Sequence, residues 1–102
     1  MTDLNGIVAN ALRLGNTSKE KLSTEIDRNI RTARAELIRS GVSDILVNSD
    51  HPLVVDAIVA FCLYKMDDES VQERNFEAFR YQQENLRKSK KLLPVGDDES
   101  EK

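Results

Sequence analysis

The sequence is poor in the residues from which catalytic and metal sites are built. Its 102 residues include one histidine, one cysteine and no tryptophan. No Cys-x-x-Cys or His-x-x-x-His spacing occurs, so the paired ligands of a zinc site are missing. The four glycines are scattered and form neither a dinucleotide-binding nor a P-loop pattern. These absences predict a protein that is not an enzyme and that binds no metal or cofactor.

Long hydrophobic runs and an excess of positive charge are also missing. The longest apolar stretch, 54–64, contains Asp56 and is much shorter than the roughly 20 residues of a membrane span. No basic leader followed by an apolar run opens the sequence, so we expect an intracellular protein that makes no membrane contact. With 15 basic and 18 acidic residues, the net charge of −3 disfavours a dedicated DNA-binding protein.

The lone cysteine and the lone histidine have structural interpretations. Cys62 lies within the apolar stretch, where a free thiol is commonly a small buried hydrophobic group rather than a nucleophile. His51 lies between Asp50 and Pro52, which predicts a position near the surface at a helix terminus. A sole histidine cannot form a His-rich metal site.

Four segments carry helical periodicity, and the helix breakers fall between them. The first segment is predicted over 3–14, with Gly15 ending it. The second is predicted to begin at a capping box formed by Thr17 and Glu20, and to continue to Gly41. Its apolar residues advance by three or four positions and form one stripe: Leu22, Ile26, Ile30, Ala33, Leu37 and Ile38.

The third segment is the most apolar part of the chain. It follows a connector, 42–49, that either packs against the core or forms a short extended piece. Asp50 is predicted to cap the helix, Pro52 to lie in its first turn, and Met66 to lie near its end. Because this helix is apolar nearly all round, we expect it to be central, either surrounded by the other helices or with one face kept for another subunit.

The fourth segment is predicted to start at a second capping box, Ser70 with Glu73, and to carry a sparse apolar stripe to Leu93. Residues 94–102 are acidic and nearly devoid of apolar side chains, which predicts a flexible tail. We therefore expect an all-α protein: a single domain over 1–93, built as a small bundle of about four helices with a buried third helix, and a flexible acidic C-terminal tail.

Two groups of basic residues are candidates for an interaction surface. The row Arg28, Arg31 and Arg34 is either a solvated face with pairs such as Asp27 with Arg31, or a contact with an acidic neighbour or with passing DNA. A second basic group lies at the end of the predicted fourth helix: Arg87, Lys88, Lys90 and Lys91. Its positive charges interact favourably with the negative end of the helix dipole and could also pair with a neighbour's acidic tail. The candidate interface residues are Arg28, Arg31, Arg34, Phe76, Phe79, Arg87, Lys88, Lys90 and Lys91.

The stretch Asp50-His51-Pro52-Leu53-Val54-Val55-Asp56-Ala57-Ile58-Val59-Ala60-Phe61-Cys62 resembles the head–tail connector proteins of tailed bacteriophages. Their pattern is an aspartate and a proline, then an aliphatic helix with Ala-Ile, and an aromatic-Cys pair. The order and length of the helices agree over roughly 20–92. After Tyr64 the family often has a short turn with Gly or Asn-Pro, whereas this chain has Lys65-Met66-Asp67-Asp68-Glu69.

The resemblance implies a non-enzymatic virion assembly protein that docks on the portal ring after DNA packaging. It implies a ring of about a dozen copies around the genome channel, contact with the next neck or tail-completion protein, and passage of DNA without sequence-specific binding. The candidate interface residues would then contact neighbouring copies or the portal. The protein would lie at the head–tail junction of the virion, and in the host cytoplasm before assembly.

Two other interpretations are compatible with the sequence. A helix-turn-helix DNA-binding regulator would need a basic recognition helix after a turn of three to four residues. Here the connector spans about eight residues and the third helix is apolar. A small helical protein–protein interaction module would instead use the acidic tail and the fourth helix to bind one basic partner. It predicts a dimer or heterodimer rather than a ring.

Overall fold

The predicted all-α bundle is confirmed in a computed structural model that describes residues 3–88, a range without β-strands. The helices are α1 (Leu4–Ala11), α2 (Asn16–Arg39), α3 (Asp44–Val47), α4 (Pro52–Met66) and α5 (Gln72–Lys88), with a 3₁₀ turn over Glu69–Val71. The predicted tail over 94–102 and the predicted end of the last helix at Leu93 lie outside the described residues.

Helix α4 is the central element, as its composition predicts. It packs against α1, α2 and α5. Helices α4 and α5 are antiparallel. The ring centre of Phe61 lies 5.1 Å from that of Phe79, and the ring centre of Tyr64, later on α4, lies 4.9 Å from that of Phe76, earlier on α5. One side of α4 is buried in the core through Val54, Ala57, Ile58, Phe61 and Cys62. Its opposite side is only partly covered.

Helix α2 supplies the second large share of the core. The predicted stripe is confirmed for Ile26, Ile30, Ala33 and Leu37, which are buried, whereas Ile38 is 42% exposed. A single apolar cluster extends along the chain from Leu4 to Leu86. The core therefore joins the first and last described helices.

The connector that the sequence left undecided contains a short helix, α3. The Ser43 hydroxyl accepts a hydrogen bond from the Ile45 amide at 3.2 Å and caps the first turn. Leu46 and Val47 are buried, and Val42 just before the turn is 3% exposed. Of the two alternatives, the connector thus packs against the core, as a helical turn rather than an extended piece.

The start of α2 differs from the predicted one. Helix α1 ends at Ala11 instead of residue 14, and the chain turns through Arg13, whose φ is +60°. Gly15 is extended, and its carbonyl accepts from the Lys19 amide at 2.8 Å, so Gly15 is the cap. Thr17 already lies inside α2. The predicted Thr17 and Glu20 capping box is therefore wrong.

Gly41 ends α2 as predicted, through a Schellman motif. The Val42 amide donates to the Leu37 carbonyl and the Gly41 amide donates to the Ile38 carbonyl, both at 3.0 Å. Gly41 has a φ of +112°, which a residue with a side chain rarely adopts. The tight turn buries Val42 and directs the chain into α3.

Two other predicted caps are wrong because the backbone places the cap elsewhere. A residue before proline is disfavoured in the helical region, so His51 is the non-helical residue that caps α4, in place of Asp50. The His51 Nδ1 accepts from the Leu53 amide at 3.1 Å. At the last helix, Asp68 accepts from the Ser70 amide at 3.3 Å, which replaces the predicted pairing of Ser70 with Glu73.

The cap of α4 gives a test of this local structure. Changing His51 to alanine removes the side-chain acceptor and should lower the free energy of unfolding by about 0.5–2 kcal/mol. His51→Asp supplies another acceptor at the same place and should recover most of the loss. Urea unfolding followed by circular dichroism measures both variants. Equal stability of the alanine and aspartate variants would contradict the assignment of His51 as the cap.

Candidate interaction surfaces

Arg28 and Arg31 lie on the exposed side of α2. Within residues 3–88, neither guanidinium has an acidic partner within salt-bridge distance. The predicted pair of Asp27 with Arg31 is wrong, because Asp27 Oδ1 instead accepts from Asn5 Nδ2 of α1 at 2.8 Å. Asn5 Nδ2 also donates to the Ser23 carbonyl at 3.0 Å. Asp27 thus ties α1 to α2 and leaves the two arginines available to another molecule.

Arg34 does not share the environment of the other two arginines. It is half-buried and lines a cleft of about 460 Å³ between α1, α2 and the segment before α4. Its Nε is buried without a hydrogen-bond partner in the described part of the chain. Asp3, Asp27 and Asp50 line the same cleft. The arginine row therefore divides into an exposed pair and one residue in an acidic cleft.

The two candidate phenylalanines of α5 have different surroundings. Phe79 is 2% exposed and packs against the Phe61 ring, so its assignment to an interface is wrong: it is a core residue. Phe76 is half-buried, with the Tyr64 ring on one side and the Arg80 guanidinium 5.7 Å from its ring centre. Tyr81, which the sequence analysis did not select, is 66% exposed.

The basic end of α5 is only partly described. Arg87 pairs with Glu84 at 2.6 Å, and Lys88 lies 4.0 Å from the same carboxylate. This hydrogen bond from Arg87 lowers the pKa of the Glu84 carboxyl. Lys90 and Lys91 lie outside the described residues. The two described cations thus share an acid of their own helix, as expected for an exposed helix end.

Cys62 and His51 have the structural roles that the sequence predicts. Cys62 is fully buried in α4, and burial raises the pKa of its thiol to about 12. His51 caps α4 through its ring nitrogen. No group of three or more His, Cys, Asp or Glu side chains in residues 3–88 is arranged to hold a metal ion.

An apolar groove follows the outer side of α4. Its floor consists of Val55, Val59 and Leu63, all half-buried. Ile7 of α1 forms one wall, and Ala78 of α5 lies on the other. The cavity has a volume of about 390 Å³. We refer to it as the α4 groove. It leaves part of the most apolar helix uncovered, so the other described helices do not surround α4 completely.

Two amide side chains of α5 also line the α4 groove. Asn75 is 6% exposed and its Nδ2 has no hydrogen-bond partner among the described residues. Gln82 Oε1 is likewise buried and unpaired in this part of the chain. Buried polar groups are nearly always hydrogen-bonded, since an unmade bond costs about 1–3 kcal/mol. Each of these two side chains therefore holds one unpaired polar atom just beneath the surface of the groove, beside its apolar floor.

This groove was not predicted from the sequence, although one signal was present. The apolar residues of α4 extend nearly all round the helix, so some of them must lie outside a core this small. Which side stays open depends on where α1 and α5 pack, and periodicity does not determine that.

No protein-family model, no curated protein and no solved structure matches this chain. Among residues 3–88, no helix combines the length and apolar character that crossing a membrane requires. The interpretation of function therefore depends on the surfaces described above and on the resemblance of residues 50–62.

Proposed function

We propose that this protein is a non-enzymatic assembly adaptor, a head–tail connector that docks on the portal ring of a tailed phage after DNA packaging. The observation that carries the proposal is the open apolar side of α4. Residues 52–62 of this helix belong to the segment 50–62 that resembles the connector family. A central helix that is buried on one side and apolar on the other has a surface suited to burial by another subunit.

The exposed arginine pair supports the same role. Arg28 and Arg31 face outward from α2 without acidic partners in the described part of the chain. Guanidinium groups form paired hydrogen bonds with carboxylates and phosphates, so this surface suits an acidic face of a portal or of a neighbouring copy. The net charge of −3 would keep DNA from adhering as it passes through a ring of such subunits.

A small helical interaction module is the competing function, because a groove of this kind can also hold one partner in a simple complex. Stoichiometry separates the two. A connector at the neck of the virion implies a ring of about a dozen copies around the portal axis. An interaction module implies a dimer or a one-to-one complex.

Native mass spectrometry tests the proposal directly. The full chain is measured alone and after mixing with portal rings from the same genome. We expect a ring-sized species, or about a dozen copies retained on each portal ring. A protein that stays a dimer and is not retained by the portal would contradict the connector function and favour the interaction module.

A charge-reversal variant tests the arginine surface. Arg31→Glu should reduce the number of copies retained on the portal, because it places a carboxylate where an acidic surface is expected. The matched control is Lys21→Glu, an exposed charge reversal on the same helix. Both variants should unfold within about 0.5 kcal/mol of the parent protein, since both positions are exposed. Equal retention of the two variants would exclude Arg31 from the portal contact.

A further inference from the structure

The unpaired amides of the α4 groove indicate what kind of chain fits it. Asn75 and Gln82 are seven positions apart on α5, which corresponds to about 10.5 Å along the helix. A helical partner has its backbone groups already paired. An extended chain presents free carbonyl and amide groups, and three residues of it cover about 10 Å. The groove is therefore suited to an extended, apolar peptide segment.

The chain itself carries one segment of this kind, Leu92-Leu93-Pro94-Val95. Proline disfavours the helical conformation in the residue before it and fixes its own φ near that of an extended chain. The apolar side chains from Leu92 to Val95 would cover about 10 Å when extended, close to the roughly 12 Å from Val55 to Leu63 on α4. Length and hydrophobicity thus match the groove floor.

Charge gives the segment a direction in the groove. Asp56 is the one ionisable residue among the groove-lining side chains of residues 3–88. Since α4 and α5 are antiparallel, Asp56 lies toward Gln82 rather than Asn75. Lys90 and Lys91 immediately precede the apolar segment. With these lysines beside Asp56, the segment would extend from the Gln82 end toward Asn75.

A second copy is a better source of the segment than the same chain. Helix α5 continues to Lys88, six residues or about 9 Å beyond Gln82. For the segment to reach the groove of its own chain, residues 89–91 would have to reverse the direction of the chain and also cover the roughly 9 Å back to the level of Gln82. Four steps between Cα atoms reach only about 14 Å when fully stretched, which leaves almost nothing for the reversal.

We propose that residues 92–95 of one copy dock as an extended chain in the α4 groove of a second copy. After rotation of these two side chains toward the groove, Asn75 Nδ2 would donate to a carbonyl of the segment and Gln82 Oε1 would accept from one of its amides. Each copy then offers one groove and one segment, so the contact is head-to-tail and can close into a ring or continue as an open chain. The inference deepens the proposed function and shares its main observation, because it names the segment that would cover the open side of α4.

Disulfide trapping between full-length chains tests this docking. Protein carrying Ala78→Cys, at the groove wall, is mixed with protein carrying Gly96→Cys, just after the segment. The natural Cys62 is buried and stays unchanged. We expect a mixed disulfide dimer to form faster than in a mixture of Gly96→Cys with Ile38→Cys, which places the thiol at an exposed site outside the groove.

Two outcomes of the trapping experiment would overturn the inference. One is an equal rate of mixed dimer formation with the control. The other is an Ala78→Cys and Gly96→Cys double variant that closes its disulfide within one chain, since that result places the segment in its own groove.

Sedimentation of the full chain gives a second, independent measurement. The parent protein should associate as concentration rises, and Leu92→Ser with Leu93→Ser should sediment as an 11.6 kDa monomer with an unchanged helical spectrum. A parent protein that stays monomeric, or a double variant that associates equally well, would overturn the inference. A monomer that is still retained on portal rings would overturn it and leave the proposed function standing.

Discussion

Replacing Phe79 with alanine should lower the free energy of unfolding by about 3–5 kcal/mol. Phe79 is 2% exposed, and its ring meets Phe61 edge-on at 5.1 Å in the contact between α4 and α5. Its removal leaves a cavity that these two helices cannot close without moving. Domains of this size have total stabilities of about 5–15 kcal/mol, so the change removes a large part of the folding free energy.

Phe76 provides the matched control, because it lies one helical turn before Phe79 on α5. It is half-buried and packs on Tyr64 at 4.9 Å, so Phe76→Ala should lower the free energy of unfolding by less than Phe79→Ala does. Urea unfolding by circular dichroism compares the two variants with the parent protein. A larger loss for Phe76→Ala, or stability unchanged by Phe79→Ala, would contradict the assignment of Phe79 to the core.

The architecture followed from the sequence where composition and strong breakers determine it. Helix α4 is apolar nearly all round, which favours a central position in the bundle. Pro52 fixes the start of that helix and Gly41 the end of α2, because each restricts or requires a particular backbone conformation. These signals act locally and do not depend on how the helices pack.

The errors arose where several residues compete for one role. A Ser or Thr three positions before a glutamate satisfies the capping-box pattern, yet at Thr17 the extended Gly15 had already started the helix. Phe76 and Phe79 are chemically identical and one turn apart, so only the position of α4 decides which is buried. The open groove and the separation of Arg34 from Arg31 likewise depend on tertiary packing.

The thiol of Cys62 should be almost inert in the folded protein. Burial raises its pKa from an ordinary value of 9.0 to about 12. Each pKa unit changes the thiolate fraction tenfold below the pKa, so the reactive form at pH 8 should be about 1000-fold rarer than in the unfolded chain. A disulfide reagent should release almost no signal from native protein at pH 8 and one equivalent in urea. Rapid reaction of the native thiol would contradict its burial.

Because of the same pKa shift, the free energy of unfolding should fall at alkaline pH. The thiol has a higher pKa in the folded than in the unfolded state, so the folded state holds its proton more tightly. Its contribution is fully present below about pH 9 and is lost as the pH rises from 9 toward 12, by up to about 1.4 kcal/mol per pH unit. Unfolding in urea at pH 7, 9 and 10.5 measures this loss.

Cys62→Ala separates the contribution of the thiol from those of the other ionisable groups. The variant should be less stable than the parent protein at pH 7, because it loses a buried sulfur, yet it should lose less stability between pH 9 and 10.5. The difference between the two curves is the contribution of the thiol alone. Parallel curves for parent and variant would show that Cys62 ionises equally easily in the folded and unfolded states, which is incompatible with a buried position in α4.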